Sequence, residues 1–301
     1  MFKFRQERLD EDNLLGSGAS GKVFPYQKNP QDLRWVVKRI LAENVDELIA
    51  CIPEIVLGFA CDHPCVVPVK GYFVEKVPNS KYFHVYMKIP RMKESLSRHF
   101  KNRKIPFSEK EIIQHFYSLT CGLSYLHSKK IYHGDIRHDN LLLDEQGDVK
   151  IGDVGIAKHV EEEDSFYAIT GQKGTYFYSA PEILGDQAKK ERLPKADVWS
   201  LGIVILELCS FNVKLLNSSL PQDKLQSKLD ELLGNLKGKY KEKLIALVKR
   251  LLSLDPEKRP NIDQIKDELK NTFSEDLIGV NLMDNRNLAS CDEEQVAVII
   301  S

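Results

Sequence analysis

Residues 133–140 are His133-Gly134-Asp135-Ile136-Arg137-His138-Asp139-Asn140, and the apolar run Leu141-Leu142-Leu143 follows them directly. The segment Asp153-Val154-Gly155 begins ten residues after Leu143, the last residue of that run. A carboxylate such as Asp135 can accept a proton from a hydroxyl group. The side-chain oxygens of Asn140 and Asp153 are hard ligands of the kind that Mg²⁺ prefers. These residues therefore indicate a proton acceptor close in sequence to a magnesium site.

The size and charge of the chain are those of a globular protein. Its 301 residues allow one large domain or two lobes with a sizeable buried core. The 43 Lys and Arg residues nearly balance the 44 Asp and Glu residues, so the net charge is -1. This balance gives no attraction to a polyanion, and we expect no nucleic-acid partner.

The cysteines and the apolar segments predict a cytoplasmic protein, with the nucleus as the other compartment left open. No two of the cysteines have the two-residue spacing of zinc or redox motifs. Residues 1–8 are charged from the start, unlike a secretory signal. The longest apolar stretch, Val198 to Phe211, contains Glu207 and is shorter than the ~20 residues that span a bilayer, so we expect no membrane segment. The six cysteines are Cys51, Cys61, Cys65, Cys121, Cys209 and Cys291.

The hydrophobic period changes along the chain. The first ~90 residues alternate apolar and polar positions, as strands do, and helical spacing begins near Ser95. Ser108 with Glu111 three residues later predicts a capping box at the start of a long helix. Strands first and helices later favour an α+β protein with two lobes. Four further helical runs are predicted at Val198 to Phe211, Leu225 to Leu236, Leu244 to Leu254 and Ile262 to Leu269.

A glycine-rich stretch lies near the N-terminus: Gly16-Ser17-Gly18-Ala19-Ser20-Gly21-Lys22-Val23. A P-loop requires Ser or Thr after its Lys, but Val23 follows Lys22. A Rossmann turn requires a helix directly afterwards, but Pro25 and a turn-rich segment follow. We therefore predict two antiparallel strands joined by a glycine loop, whose backbone amides can approach phosphate.

A lysine in the next predicted strand, Lys38, is a candidate phosphate ligand. Glu54 follows sixteen residues later in a helix-like stretch and could orient the Lys38 ammonium group through an ion pair.

Together these motifs resemble the eukaryotic protein kinase family, in the family's order and over residues 9–273. The segment Gly174 to Glu182 resembles the end of a kinase activation segment. Asp197 to Gly202 resembles the buried helix that anchors the catalytic loop, and Arg259 resembles the late arginine that pairs with Glu182. The resemblance implies an α+β, bilobal fold, with a small antiparallel β-sheet and one main helix in the N-lobe and a larger, mainly helical C-lobe. The implied boundaries are an extension at 1–8, an N-lobe at about 9–88, a hinge at about 87–94, a C-lobe at about 95–273 and a tail at 274–301.

The same resemblance implies ATP and Mg²⁺ as cofactors and a protein as substrate. ATP is expected between the lobes, with a hinge near Met87 to Pro90, and Met87 at the rear of the pocket. The metal ligands are expected to be Asn140 and Asp153. The catalytic group comprises Asp135, Lys38, Arg137, Glu54 and Thr175. The nucleotide-binding group comprises Gly16, Ser17, Gly18, Ala19, Ser20, Gly21, Val23, Val36, Lys38, Met87 and Leu142.

The acceptor is expected to be a Ser or Thr hydroxyl, because the spacing from Thr175 to Glu182 is similar to that of Ser/Thr kinases. A tyrosine or dual-specificity kinase is one alternative. The other is a pseudokinase that acts as a nucleotide-binding scaffold. The substrate, the pathway and the oligomeric state stay open.

Four residues depart from the family pattern. Gly134 replaces the Arg that commonly grips a phosphate on the activation segment, so we expect the protein to be constitutively competent or controlled in another way. Val154 and Gly58 are small where larger apolar residues are usual, which predicts either an enlarged internal pocket or compensation by a bulky neighbour. Pro53 precedes Glu54 inside the expected helix, so that helix is expected to start late or to kink.

Overall fold

The computed structural model describes residues 12–18, 21–26, 34–154, 158–159, 175–184 and 192–280. The chain divides into two compact units. Among the described residues, the first unit extends to Met92 and also includes Asp153 and Val154, and the second contains Lys93–Gly152 and the residues from 158 onward. The predicted α+β fold with two lobes is confirmed, and the proposed lobe boundary near residue 90 lies close to the change of unit at Met92.

The first unit is built on a five-stranded antiparallel sheet with the order β1-β2-β3-β5-β4. Val36 and Val37 lie in its central part, where β-branched side chains pack well against their neighbours. The register places Lys38 opposite both Val23 and Met87. The strands are β1 (Gly16–Gly18), β2 (Gly21–Pro25), β3 (Trp35–Ala42), β4 (Gly71–Lys76) and β5 (Phe83–Pro90).

One helix, α1 (Val45–Ala60), packs on this sheet. Its N-cap is Asn44, whose side chain accepts a hydrogen bond from the Glu47 amide at 2.9 Å. Pro53 lies in the interior of α1, so the helix does not start late. Ile55 holds the helix against the sheet through a buried apolar cluster. The other buried members of this cluster are Val69, Val85 and Met87.

Helices dominate the second unit. The predicted capping box is present at the start of α3, where the Ser108 and Glu111 side chains each bond the other's backbone amide. Helix α4 is buried through most of its length, which explains why its sequence is apolar around the whole circumference. The helices are α2 (Leu96–Asn102), α3 (Glu109–Ser128), α4 (Leu193–Ser210), α5 (Gln222–Gly234), α6 (Glu242–Leu251) and α7 (Ile262–Thr272).

Short strands in the second unit frame the loop at residues 133–140. β8 lies between β6 and β9 in a three-stranded antiparallel sheet, and β7 pairs with β10. The strands are β6 (Glu94–Ser95), β7 (Ile131–Tyr132), β8 (Leu141–Leu143), β9 (Val149–Ile151) and β10 (Lys158–His159). None of the helices in the described part of the chain is long and apolar enough to cross a membrane.

The predicted hinge and tail differ in detail from the structure. Residues 87–90 of the predicted hinge belong to β5, which runs to Pro90. The first part of the predicted tail is held against the second unit, because the Asp276 carbonyl accepts a hydrogen bond from Gln114 at 3.1 Å and its carboxylate pairs with Lys241 at 3.0 Å. Residues 281–301 and the predicted extension at 1–8 lie outside the described residues.

Candidate active site

Lys38 is held between two carboxylates in the first unit. Strand β3 carries Lys38, and the packing of α1 on the sheet brings Glu54 to it. The Lys38 Nζ atom lies 2.6 Å from Glu54 Oε1 and 2.5 Å from Asp153 Oδ1. The expected ion pair between Lys38 and Glu54 is therefore present, and Asp153 adds a second one.

The charges of this triad are strongly coupled. Burial disfavours the charged form of Lys38, but the neighbouring Glu54 and Asp153 carboxylates outweigh burial and raise the pKa of Lys38. Burial raises the pKa of Glu54 to about 7, although Lys38 opposes that shift. Lys38 thus keeps its positive charge at neutral pH and can offer it to an anionic ligand. Asp153 has a φ of 57°, a left-handed conformation that is uncommon for a non-glycine residue and often occurs at functional sites.

The glycine loop has the predicted topology of two antiparallel strands. Gly16 pairs with Val23, and Gly18 pairs with Gly21. Gly21 has a φ of 127°, and a Cβ atom there would lie 2.5 Å from the carbonyl oxygen of Arg39. Only glycine fits this position without moving the backbone of β3. Ser17 lies in β1 and is exposed, whereas Ala19 and Ser20 lie outside the described residues.

The candidate adenine-binding residues are divided between the units. Val36 is buried in β3, next to β2, which carries the half-buried Val23. Met87 is buried in the cluster between α1 and the sheet, opposite Lys38 in the register. Leu142 lies in β8 of the second unit and is partly exposed.

The loop at residues 133–140 is internally hydrogen-bonded around Asp135 and Asn140. The Asn140 Nδ2 atom donates to the Asp135 carbonyl at 2.9 Å and to Asp135 Oδ2 at 2.7 Å. The backbone amide of Asn140 donates to the Arg137 carbonyl at 2.9 Å, and the backbone carbonyl of Asn140 accepts from the Gly152 amide at 2.9 Å. These bonds fix the side chain of Asn140 with its amide nitrogen toward Asp135, which leaves Oδ1 as its ligand atom for a cation.

Each of the two predicted metal ligands is of a type that suits magnesium. Asn140 offers an amide oxygen and Asp153 a carboxylate, and Mg²⁺ is usually held by one or two such protein ligands with phosphate oxygens and water completing the shell. Among the described residues, no group of three His, Cys, Asp or Glu side chains forms a metal site by itself.

Arg137 pairs with a neighbour that the sequence analysis did not assign to it. Its Nε and Nη2 atoms lie 3.1 and 2.5 Å from Asp139 Oδ2. The guanidinium group is partly exposed, with a side-chain exposure of 28%. It can therefore exchange part of this surface pairing for contact with a phosphate.

Asp197 at the start of α4 anchors the loop, as the resemblance implied. It is 1% exposed, and its carboxylate accepts hydrogen bonds from the amides of His133 at 2.9 Å and Gly134 at 2.8 Å. His127 of α3 adds a third contact at 2.9 Å. Burial opposes the charge on Asp197, but the hydrogen bond and charge of His127 and the Gly134 amide lower its pKa. Gly134 has a φ of 74°, which presents its amide to Asp197 at no steric cost.

The segment that contains Thr175 is held to the second unit through Glu182. Thr175 begins a short 3₁₀ turn that runs to Phe177. Arg259 is 1% exposed and binds Glu182 through both terminal nitrogens, at 2.6 and 2.9 Å. The guanidinium carbon of Arg259 lies 4.9 Å from the ring centroid of Trp199. The predicted pairing of Arg259 with Glu182 is confirmed.

The space beside Gly58 is filled, not empty. A Cβ atom on Gly58 would lie 2.3 Å from Cγ2 of Val69, and the Val69 amide bonds the Gly58 carbonyl at 3.0 Å. Of the two expected outcomes, compensation by a neighbouring side chain is therefore the one observed at Gly58. Val154 is itself buried.

The structure thus forms two groups of candidate residues. Lys38, Glu54 and Asp153 meet in the first unit, and Asp135, Arg137 and Asn140 share one loop of the second. Sequence reasoning missed the contributions of His127, Val69 and Asp139. Only the last of these had a local signal, since Asp139 lies two residues from Arg137.

Comparisons with known proteins agree with this geometry. A family model described as the protein kinase domain matches residues 9–269. Human serine/threonine-protein kinase Nek5 is 30% identical over 276 residues, which are 90% of this chain and 37% of the relative. The CBL-interacting serine/threonine-protein kinase 8 of Arabidopsis thaliana is 29% identical over 282 residues, covering 93% of this chain and 57% of the relative.

A third relative, serine/threonine-protein kinase pakH of Dictyostelium discoideum, is 33% identical over 196 residues, 64% of this chain and 36% of the relative. The chain thus spans less than two thirds of the length of each of these relatives. Because the family model covers most of the sequence and the Lys38, Asp135 and Asp197 clusters all lie within it, the chain belongs to the protein kinase family.

Proposed function

We propose that the protein is an active ATP-dependent kinase that transfers the γ-phosphate of ATP to Ser or Thr hydroxyls of protein substrates. The observation that carries the proposal is the placement of the buried Lys38 ammonium group within 2.6 Å of the Glu54 and Asp153 carboxylates. A buried and oriented cation of this kind suits the binding of phosphate oxygens, because phosphoryl transfer depends mainly on positioning and on neutralising charge.

In this proposal Lys38 binds the phosphates of ATP, and Glu54 fixes the position of its ammonium group. The backbone amides of Gly16, Gly18 and Gly21 in the glycine loop would contact the phosphates. Asn140 Oδ1 and the Asp153 carboxylate would hold Mg²⁺, which when bound would neutralise the charge of the phosphate groups. Val23, Val36, Met87 and Leu142 supply apolar surface for the adenine ring.

Asp135 orients the acceptor hydroxyl and accepts its proton. The hydrogen bond from Asn140 Nδ2 to Asp135 Oδ2 restricts the rotation of that carboxylate. Arg137 contributes positive charge near the transferred group once its exposed pairing with Asp139 loosens. The similarity of residues 175–182 to Ser/Thr kinases supports Ser or Thr as the acceptor class.

We further propose that the protein acts in the cytoplasm. We also propose that its activity does not require residue 134 to bind a phosphate on the activation segment. Cys121 and Cys209 are buried free thiols, which suits a reducing compartment. Gly134 offers its backbone amide to Asp197 and has no cationic side chain for a phosphate on the activation segment.

The proposed activity is tested by transfer of radiolabelled phosphate from ATP with Mg²⁺ to a generic protein acceptor. We expect transfer by the natural chain, and loss of at least ~100-fold in Asp153→Ala and Asp135→Asn, because each change removes a charged group that the reaction uses. Asp223→Asn, an exposed carboxylate at the start of α5, is the matched control and should keep full activity. Phosphoamino-acid analysis of the product distinguishes Ser and Thr from Tyr.

Two results would contradict the proposal. Equal transfer by the natural chain and by Asp135→Asn would remove Asp135 from the mechanism. No transfer by the natural chain, with ATP binding intact by calorimetry, would favour the nucleotide-binding scaffold.

A further inference from the structure

His138 lies in the candidate catalytic loop, and the proposed mechanism does not use it. It is separated from Asp135 by two residues and from Asn140 by one. The side chain is buried, with 2% of the residue exposed. Its carbonyl accepts a hydrogen bond from the Ser97 amide at 3.0 Å, and its ring lies 5.6 Å from that of Phe100.

The imidazole ring meets two polar groups from other elements. His138 Nδ1 lies 3.2 Å from Glu207 Oε2 of α4 and 3.3 Å from the hydroxyl of Tyr178. The Tyr178 hydroxyl donates to the same Glu207 oxygen at 2.9 Å. Burial and the neighbouring Glu207 carboxylate raise the pKa of Tyr178, so its hydroxyl keeps the proton that it donates.

The contacts of the two ring nitrogens assign the proton to Nδ1. Nδ1 lies 3.3 Å from the Tyr178 hydroxyl, whose own proton goes to Glu207 Oε2, so the hydroxyl oxygen is left to accept a hydrogen bond from Nδ1. Nε2 is buried and has no hydrogen-bond partner among the described residues. An N–H at Nε2 would remain unsatisfied, whereas the same N–H at Nδ1 bonds the Tyr178 hydroxyl oxygen.

Glu207 does not need His138 to satisfy its carboxylate. Oε2 already accepts from Tyr178, and Oε1 accepts from the backbone amide of Lys214 and from that of Leu215 at 3.4 Å. A buried ring with one unpaired nitrogen also adds little to stability compared with an apolar ring of the same shape. We therefore expect the Nδ1–H group to affect the position of the loop more than the stability of the fold.

Three parts of the second unit converge on this ring. His138 lies in the loop, Tyr178 belongs to the segment at residues 175–184, and Glu207 belongs to α4. The Ser200 hydroxyl of α4 also donates a hydrogen bond to the Tyr178 carbonyl at 2.8 Å. Other hydrogen bonds hold the loop to Asp197 through the amides of His133 and Gly134, to Ser97 through the His138 carbonyl, and to Gly152 through the Asn140 carbonyl. The ring thus ties the far side of the loop to the segment that follows Thr175.

We propose that His138 is a positioning residue for phosphoryl transfer. Its Nδ1–H bond to the Tyr178 hydroxyl, which itself donates to Glu207, holds the Asp135-to-Asn140 turn in a fixed position relative to Tyr178 and the segment that would face the protein substrate. This inference rests on the proposed kinase function. It adds to that function a fixed link between the proton acceptor and the substrate-facing segment, through a side chain to which the proposed mechanism gives no role in binding metal or ATP.

The test uses three substitutions in the full chain. His138→Asn can place an amide N–H near the position of Nδ1, His138→Gln places it near Nε2, and His138→Phe keeps a ring without any N–H. We expect kcat to fall about tenfold in His138→Phe and His138→Gln, since small misplacements of a catalytic group reduce rate strongly. The KM for ATP should stay within twofold, and His138→Asn should recover at least half of the lost kcat. His115→Phe, which replaces another shielded imidazole of the same unit, is the matched control and should keep its kcat.

A second measurement does not depend on activity. Amide hydrogen exchange in residues 135–140 and 175–184 should accelerate together in His138→Phe and stay near the natural rate in His138→Asn. Tyr178→Phe combined with His138→Phe should change exchange and kcat by less than the sum of the single effects, because both changes break the same link.

The outcomes separate this inference from the function on which it rests. If the natural chain transfers phosphate and all three His138 variants keep its kcat and exchange rates, the inference is wrong. It is also wrong if kcat falls only in proportion to a lowered thermal midpoint in His138→Asn and His138→Phe alike. If the natural chain transfers no phosphate, the proposed function fails, and the exchange measurement still decides whether His138 links the two segments.

Discussion

At the scale of single residues, Gly58 is important because it has no side chain. It lies in α1 one turn after Glu54, and the space that a side chain would take is occupied by Val69. Val69 is buried in the cluster that holds α1 to the sheet. The absence of a Cβ atom at Gly58 therefore allows the close approach that places Glu54 next to Lys38.

We predict that Gly58→Ala destabilises the protein by about 1–3 kcal/mol, because overpacking a filled core forces side chains and backbone to move. The measurement is the free energy of unfolding from urea denaturation, with an unchanged dependence on urea concentration. Gly234→Ala is the matched control: Gly234 ends α5, a Cβ atom there meets nothing within 4 Å, and stability should not fall. Equal stability of Gly58→Ala and the natural chain would show that Val69 can move away at no cost.

At the scale of elements, α1 shows packing overriding local propensity. Pro53 removes one helical hydrogen bond and crowds the carbonyl of Ile49, yet α1 continues unbroken from Val45 to Ala60. The hydrogen bond by which Asn44 caps the helix and the burial of Ile55 and Leu57 offset that loss of stability. This is why Glu54, directly after the proline, still reaches Lys38.

Helix α3 predicts a pH dependence through His115. Burial lowers the pKa of His115 to about 4, against an ordinary value of 6.5, and the nearby charges of Glu111, His99 and Arg103 have smaller effects. Between pH 6.5 and 4 the unfolded chain binds a proton at this residue that the folded chain does not. The contribution of His115 to stability is therefore fully present above pH 6.5 and decreases as the pH falls.

We expect His115→Phe to remove this part of the acid sensitivity. The difference in free energy of unfolding between His115→Phe and the natural chain should move by on the order of 2 kcal/mol in favour of the variant between pH 6.5 and pH 4. The reference is the same difference at pH 7.5, where the residue is neutral in both states. Parallel stability curves across this range would mean that the ring becomes protonated without unfolding.

At the scale of the whole molecule, contacts between distant parts of the sequence hold the segment near Thr175 in place. Arg259 lies 77 residues from Glu182 and binds it with two hydrogen bonds, and it also bonds the Ser253 carbonyl at 2.8 Å. Because the guanidinium is buried, its fixed two-pronged geometry matters more than its charge alone.

We predict that Arg259→Lys lowers the free energy of unfolding by on the order of 2 kcal/mol, because a single ammonium group cannot replace both bonds in a buried site. Arg250→Lys provides the control, since Arg250 pairs with Glu268 at the surface and its replacement should change stability by less than about 1 kcal/mol. Thermal and urea unfolding measure both effects. Equal small losses for the two variants would show that burial does not strengthen the Arg259 pair.

The sequence by itself determined the features that depend on local order. The change from strand to helix spacing predicted a two-lobed α+β fold, and Ser108 with Glu111 predicted the capping box of a long helix. The order of the Lys38, Asp135 and Asp153 motifs resembled that of the protein kinase family. These signals are readable because helices, strands and caps follow from residues a few positions apart.

Only the tertiary structure decided the rest. It showed Val69 filling the space at Gly58, α1 continuing through Pro53, and residues after Phe273 held by Gln114 and Lys241. It also brought His138 to Glu207, 69 residues further along the chain. Such contacts have no local signature, because they depend on how elements far apart in sequence pack against each other, and packing is fixed by the shape of the whole core.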